Sequence, residues 1–224
     1  MSLNNYSKKN NICAVIPFYN ESKNIEEIIK NTLNYVDFVI AVNDGSTDDS
    51  CSKIPHDKNI FLITYPDNRG KGFALNQGFK ESISRQFEIT ITLDADFQHS
   101  PKLIPDLINA LNSFDIVIGN RLTDFQKMPM HRIASNKLTS FFLSLKTRQK
   151  LLDTQCGFRA YKTKILESIL PSNNGFDAES QILVNAARHN YKIGFVKIPT
   201  IYGNEKSKMK SLQTIAGFIK VMLS

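Results

Sequence analysis

Cysteine is scarce in this sequence and unpatterned. Cys13, Cys51 and Cys156 are the three thiols in 224 residues. With no CxxC pair and no His-rich tract beside them, they form neither a disulfide framework nor a zinc ribbon, which fits a reducing, cytoplasmic compartment. Glycine and proline are also few. Ten and eight residues respectively fall well short of a collagen repeat or a low-complexity linker. No apolar run reaches the roughly 18 residues of a membrane-spanning helix, and the opening MSLNNYSKKN has no apolar stretch of the kind a secretory signal carries. A GK[ST] phosphate loop is missing. So is any histidine paired with a Cys or Ser in a nucleophile signature, which leaves covalent catalysis without support.

What is present is ordinary globular chemistry, at 42% hydrophobic and 22% charged residues. Acidic residues are outnumbered, 21 against 28 Lys and Arg, for a net charge of +7. Such a surplus suits an anionic partner, whether nucleic acid, a membrane or a phosphorylated small molecule. Short β-branched runs at 12–19, 38–42, 59–65, 88–96 and 114–121 read as strands. Amphipathic stretches at 21–36, 72–84 and 100–113 alternate with them, and a short helix fits 48–54. Ser22 is the expected cap of the first helix, and Ser100 with Pro101 opens the third. Further on, 131–152 and 176–190 read as helices, 157–162 as a short strand or turn, and 191–202 as a strand. A basic loop (203–210) and an amphipathic segment (211–224) follow. With neither repeat nor linker, residues 1–224 read as one domain, an α/β fold with a mainly parallel, Rossmann-like sheet covered by helices on both faces.

The polar clusters YNES, NDGSTDD, DNRGKG, DADFQH and GNR each follow a predicted strand. In an open α/β sheet, ligands bind beyond the carboxyl ends of the strands, so this clustering marks a site. Asp94 and Asp96 stand two apart, on one side of an extended segment, and suit a hard cation such as Mg²⁺ or Mn²⁺; Gln98 continues the alternation if the chain stays extended. Asn43 and Asp44 fit two roles equally, as caps of a turn or as acceptors for a nucleobase or ribose. Gly70 and Gly72 place amides at a helix start that would favour phosphate, with Lys71 between them. Arg121, Arg132, Arg159 and Lys208 are candidates for phosphate oxygens. His99 and His131 stand alone and are read as bystanders.

Taken in order, VIPFYNES, VNDGSTDDS, NRGKGFALNQGF, LDADFQHSP, GNR, HRIASNK, DTQCGFRAYK and FDAESQIL resemble family 2 glycosyltransferases of the GT-A fold. The likeness is to the dolichyl- or polyprenyl-phosphate mannose and glucose synthase branch, and it covers about residues 11–210. The resemblance implies inverting transfer from a nucleotide sugar, with residues 11–98 as the nucleotide half and 99–210 as the acceptor half. By carry-over Pro17, Tyr19, Glu21, Asn43 and Asp44 would hold the nucleoside. Asp94, Asp96 and Gln98 would hold Mg²⁺ or Mn²⁺, and Lys71, Arg159, Lys206 and Lys208 would serve the donor. Arg121 and Arg132 would hold an acceptor lipid phosphate. Asn43 departs from the branch, which often has aspartate there. The branch also often carries transmembrane helices, and the sequence has none.

A hydroxyl acceptor would instead need a carboxylate base, for which Asp177 and Glu179 are available. That keeps open a family 2 enzyme acting on a glycan hydroxyl, beside a third reading as an inactive nucleotide-binding scaffold. The donor stays open among GDP-mannose, UDP-glucose and UDP-N-acetylhexosamine. Nucleic acid is excluded, because no basic helix carries interleaved base-reading residues. Leu138, Phe141, Phe142 and Leu145, among Lys137, Lys146, Arg148 and Lys150, together with 212–224, fit two placements. They lie either in the core or at the inner face of the cell membrane, peripherally bound.

Overall fold

In the computed structural model, residues 11–122, 130–175, 177–199 and 217–222 are described. Lys206 and Lys208, with the rest of the basic loop, lie outside them. Seven strands form one sheet: β1 (Ile12–Phe18), β2 (Phe38–Asp44), β3 (Ile60–Tyr65), β4 (Ile89–Thr92), β5 (Ile116–Asn120), β6 (Arg159–Lys162) and β7 (Ile193–Lys197), in the order β3-β2-β1-β4-β6-β5-β7. The pairs β1–β2, β1–β4, β2–β3 and β5–β7 are parallel. Strand β6 runs antiparallel between β4 and β5. Every residue of β1 is buried, as expected for a central strand covered on both faces. Pro17 is tolerated there because the ladder to β4 ends at Val15, and its missing N–H leaves no partner waiting on that side.

Six α-helices are described: α1 (Ile25–Leu33), α2 (Lys71–Ser84), α3 (Ile104–Ala110), α4 (Met130–Thr147), α5 (Leu166–Ile169) and α6 (Ala178–Arg188). On α1 the spaced Ile25, Ile28 and Ile29 are fully buried, each contributing about 2 kcal/mol of transfer free energy. Three sequence expectations fail locally. The helix expected at 48–54 is one turn of 3-10 helix, Cys51–Lys53, because the Asp48 carboxylate accepts the Ser50 amide and hydroxyl and fixes a turn instead. Ser22 does not cap α1, which begins three residues later; its amide donates to Asp48 across the loops. Ser100 likewise makes no side-chain cap, although Pro101 does open a helical turn.

Helix α4 is built inside out. Its inner face carries Ile133, Asn136, Ser140, Leu143 and Thr147, all buried. Its outer face exposes Leu138 (60%), Phe141 (58%), Phe142 (39%) and Leu145 (62%). Core placement of that stripe is therefore overturned. The described part of the terminal segment, 217–222, is helical. It turns Val221 into the core and Ile219 outward, so it is only partly an outward-facing element.

Candidate functional site

The loops beyond β1 and β2 are tied to each other. Asn20 donates its amide to the Ser46 hydroxyl at 3.0 Å and Glu21 donates to Ser50 at 2.8 Å, while the Asn20 side-chain oxygen accepts the Thr47 amide. Asn43, buried, accepts the Ser46 amide at 2.9 Å and so takes the turn-capping role. Asp44 reaches farther. Its carboxylate accepts the amides of Arg69 (2.9 Å) and Gly70 (2.8 Å), which fixes the β3–α2 loop. Tyr19 and Glu21 stand half-buried at the rim of the same edge, and Pro17 is buried beneath it.

The start of α2 is not the open phosphate cradle its glycines suggested. The amides of Gly72 and Phe73 donate to the carbonyl of Asn174 at 2.8 and 3.3 Å, and that of Gly70 goes to Asp44. The glycines serve close approach. A Cβ on Gly72 would lie 2.5 Å from the Ala178 Cβ, and one on Gly70, where φ is +99°, 2.4 Å from the Asn174 carbonyl oxygen. Glycine alone lets α2 dock there.

That docking brings a charged network together. The Lys71 ammonium lies 2.7 Å from Asp94 and 3.3 Å from Glu179. Arg159 is completely buried. Its guanidinium donates to the carbonyls of Cys156, Glu179 and Thr154 at 2.8, 3.1 and 2.9 Å. The antiparallel direction of β6 is what puts Arg159 here, level with Thr92 at the carboxyl end of β4. Burial would raise the Asp94 carboxyl, but Lys71 outweighs it and holds the group below its ordinary range. Burial would likewise lower Lys71, and the two carboxylates beside it push it up instead. Lys71 is thus a buried cation with two acidic partners. Arg159, expected to contact the donor, directs three of its N–H groups to backbone carbonyls and lies 3.9 Å from the Glu179 carboxylate.

Asp96 and Gln98 follow in a turn rather than a strand. The ladder of β4 stops at Thr92, Phe97 takes a φ of +57°, and the Gln98 amide donates to the Asp96 carboxylate at 3.1 Å, so the simple alternation expected for Gln98 is lost. Among the described residues no three His, Cys, Asp or Glu side chains cluster as a complete metal cage. Two carboxylates and an amide oxygen still make a hard donor set. It fits a cation that would complete its shell with phosphate oxygens, and Asp94 would then serve both that cation and Lys71.

Just beyond β5, Arg121 forms a two-pronged pair with Asp153, at 2.9 Å for each prong, and its amide donates to the same carboxylate at 3.0 Å. Asn136 of α4 donates a third side-chain bond at 2.6 Å. The motifs DTQCGFRAYK and HRIASNK contain Asp153 and Asn136 but give neither a role. The usable signal was an aspartate directly after the apolar Leu151-Leu152, which burial would force to find a cation. Arg132 lies in the first turn of α4, partly buried. His99 is buried, stacked on Phe158 at 5.6 Å, and burial together with Arg121 lowers it to about 4, so its imidazole is neutral. Asp177 accepts the Asn173 side-chain amide at 2.6 Å, and its carboxylate packs where a Cβ on Gly217 would fall.

Comparison with known proteins matches residues 13–170 to the family described as glycosyl transferase family 2. A UDP-N-acetylglucosamine–dolichyl-phosphate N-acetylglucosaminyltransferase of Methanococcus voltae is 31% identical over 234 residues, covering 92% of each chain. A dolichol-phosphate mannosyltransferase of Pyrococcus furiosus is 27% identical, over 93% of this chain and 62% of that one. Among solved structures, glucosyl-3-phosphoglycerate synthase of Mycobacterium tuberculosis, in complex with Mn²⁺, UDP and phosphoglyceric acid, superimposes with a TM-score of 0.75. The identity is 20%, and 94% of this chain and 78% of that chain are covered. The seven-stranded sheet is accordingly the GT-A fold.

Proposed function

The chain belongs to glycosyl transferase family 2, and from that premise we propose that this glycosyltransferase moves a hexose from a nucleotide sugar to a polyprenyl phosphate, with inversion. One observation carries the choice of acceptor. Helix α4 opens with Arg132 and continues into the exposed stripe Leu138, Phe141, Phe142 and Leu145. A cation followed by an unpartnered apolar face matches a molecule with an anionic head and an apolar tail. The relatives named for dolichyl-phosphate and dolichol-phosphate support the same reading.

In this reading the whole chain is one domain, with residues 11–98 holding the donor and 99–210 the acceptor, and it works peripherally at the cytoplasmic face of a membrane. No described helix is long and apolar enough to span one. Pro17, Tyr19, Glu21, Asn43 and Asp44 shape the nucleoside side, and Lys206 and Lys208 meet the donor phosphates. Asp94, Asp96 and Gln98 would hold Mg²⁺ or Mn²⁺, which when bound offsets the charge of the departing diphosphate. Arg121, held rigid by Asp153, and Arg132 orient the acceptor phosphate and offset its repulsion from the donor. That phosphate is already anionic near neutral pH, so no base is required. The engagement of Glu179 with Lys71, and of Asp177 with Asn173, agrees with that choice, since both candidate bases already have partners.

The test is transfer from a panel of nucleotide sugars to undecaprenyl phosphate. Arg132→Ala should raise the acceptor KM about tenfold or more while the donor KM moves less than about threefold. An unchanged acceptor KM would point to the hydroxyl-acceptor reading. Asp96→Ala should abolish Mn²⁺-stimulated transfer and weaken nucleoside diphosphate binding by calorimetry. Full activity of that variant in EDTA would overturn the metal assignment.

A further inference from the structure

At the edge of the sheet opposite the chemistry, a cleft of about 570 Å³ opens between the carboxyl ends of α4 and α6 and the start of β7. Lys146, Arg148, Arg188 and Lys192 line it, with Gln149 and Tyr191, and among the described residues its lining includes no carboxylate. The acid of the neighbouring strand, Asp115, is already engaged, accepting the Lys162 ammonium at 2.9 Å and the Lys192 backbone amide at 3.0 Å. Lys146 donates to a neutral acceptor, the carbonyl of Met222, at 2.9 Å. Gln149 braces the floor, donating to the Tyr191 carbonyl and accepting the Ile193 amide.

Helix dipoles account for part of this charge, since cations gather in the last turn of a helix. They account for Lys146 and Arg188. Arg148 lies past the end of α4, in left-handed backbone with φ of +55°, where glycine would be the easier residue by about 1 kcal/mol. Lys192 precedes a strand and caps no helix. Four cations from three separate segments thus converge on one concave surface.

The position of the cleft indicates its ligand. Leu145, the last residue of the exposed α4 stripe, directly precedes Lys146. A helical rise of about 1.5 Å per residue puts Lys146 about 21 Å along the axis from Arg132. If the stripe lies on a lipid surface, both ends of α4 lie at headgroup depth, Arg132 at one end and the cleft at the other. We propose that the cleft binds the phosphate of an anionic lipid headgroup, giving the membrane-bound enzyme a second point of attachment remote from its acceptor site. The proposal rests on α4 meeting a membrane, as in the function proposed above, but not on which sugar is moved.

The experiment is vesicle co-sedimentation of the full chain, on phosphatidylcholine alone and on phosphatidylcholine mixed with phosphatidylglycerol. The variant is Arg148→Glu with Lys192→Glu. Its control is Lys58→Glu with Lys80→Glu, two exposed lysines giving the same change in net charge. The cleft variant should lose about tenfold or more in affinity for the anionic vesicles, and the control less than about threefold. Binding to pure phosphatidylcholine should be alike for both, and circular dichroism should show both folded. Equal losses in the two variants, or none, would overturn the proposal. A second arm titrates glycerol phosphate, read by phosphorus line broadening. Saturable binding that depends on Arg148 and Lys192, without a matching vesicle effect, would reassign the cleft to a soluble anion. Transfer to a short-chain, water-soluble acceptor is measured in parallel. If the cleft variant retains it, a failed vesicle result counts against the cleft alone and leaves the transfer reading standing.

Discussion

Asp153 has no exposed surface, yet it is ionised, because the Arg121 fork and the Asn136 amide offset the cost of its burial and hold its carboxyl below the ordinary range. A depressed acid of this kind contributes stability at pH values above its unfolded pKa of about 3.9, and that contribution fades as pH falls through the lower folded value. Asp153→Asn leaves Arg121 in place without its counter-charge and should cost about 3 kcal/mol at pH 7. In thermal melts the gap between wild type and variant should narrow below about pH 4; a gap that stays constant down to pH 3 would sink this account. Arg159 makes the complementary point. Sequence reasoning sends a lone arginine to the surface or to a ligand. Only the antiparallel course of β6 and the carbonyls around it reveal a guanidinium used to hold backbone together.

At the scale of elements, the docking of α2 on the amino end of α6 organises the site, and Gly72 is its closest point. Alanine ordinarily favours a helix over glycine by about 1 kcal/mol. Here its Cβ would fall 2.5 Å from Ala178 and 2.6 Å from the Asn173 carbonyl, so overpacking should reverse the sign. Gly72→Ala should lower stability by about 1–3 kcal/mol in urea unfolding. A stabilised variant would mean that α6 moves away without penalty. Helix α4 marks the limit of pattern reading. Its periodicity was plain in Leu138, Phe141, Phe142 and Leu145, but periodicity defines a face without saying where that face points. The buried Asn136, Ser140 and Thr147 opposite decide it, because their polar groups find partners inside, as in the Ser140–Thr154 contact at 3.1 Å.

For the molecule as a whole, the alternation of β-branched runs with amphipathic stretches was enough to read a mainly parallel sheet and to gather the site loops at its carboxyl edge. The four-residue β6 was legible only as strand or turn, because hydrophobic pattern carries no strand direction. The 48–54 segment misled because helix-compatible polar residues there bond their own backbone. The +7 surplus also changes meaning. Lys71, Arg121 and Arg159 are balanced within the fold by Asp94, Glu179 and Asp153. Among the described residues the buried cations are thus paired, and the cleft between α4 and α6 gathers four others, Lys146, Arg148, Arg188 and Lys192.

The inserted β6 also orders events during synthesis. Strands β3, β2, β1 and β4 are contiguous in the sheet and complete by residue 92, so this part of the sheet can assemble as it leaves the ribosome. Strand β5 emerges next but borders only β6 and β7, and about 40 residues separate it from β6. At roughly 5–20 residues per second, the nascent chain spends several seconds with β5 lacking any place to pair. During that interval IVIGN, buried at every residue in the finished fold, stays exposed to aggregation.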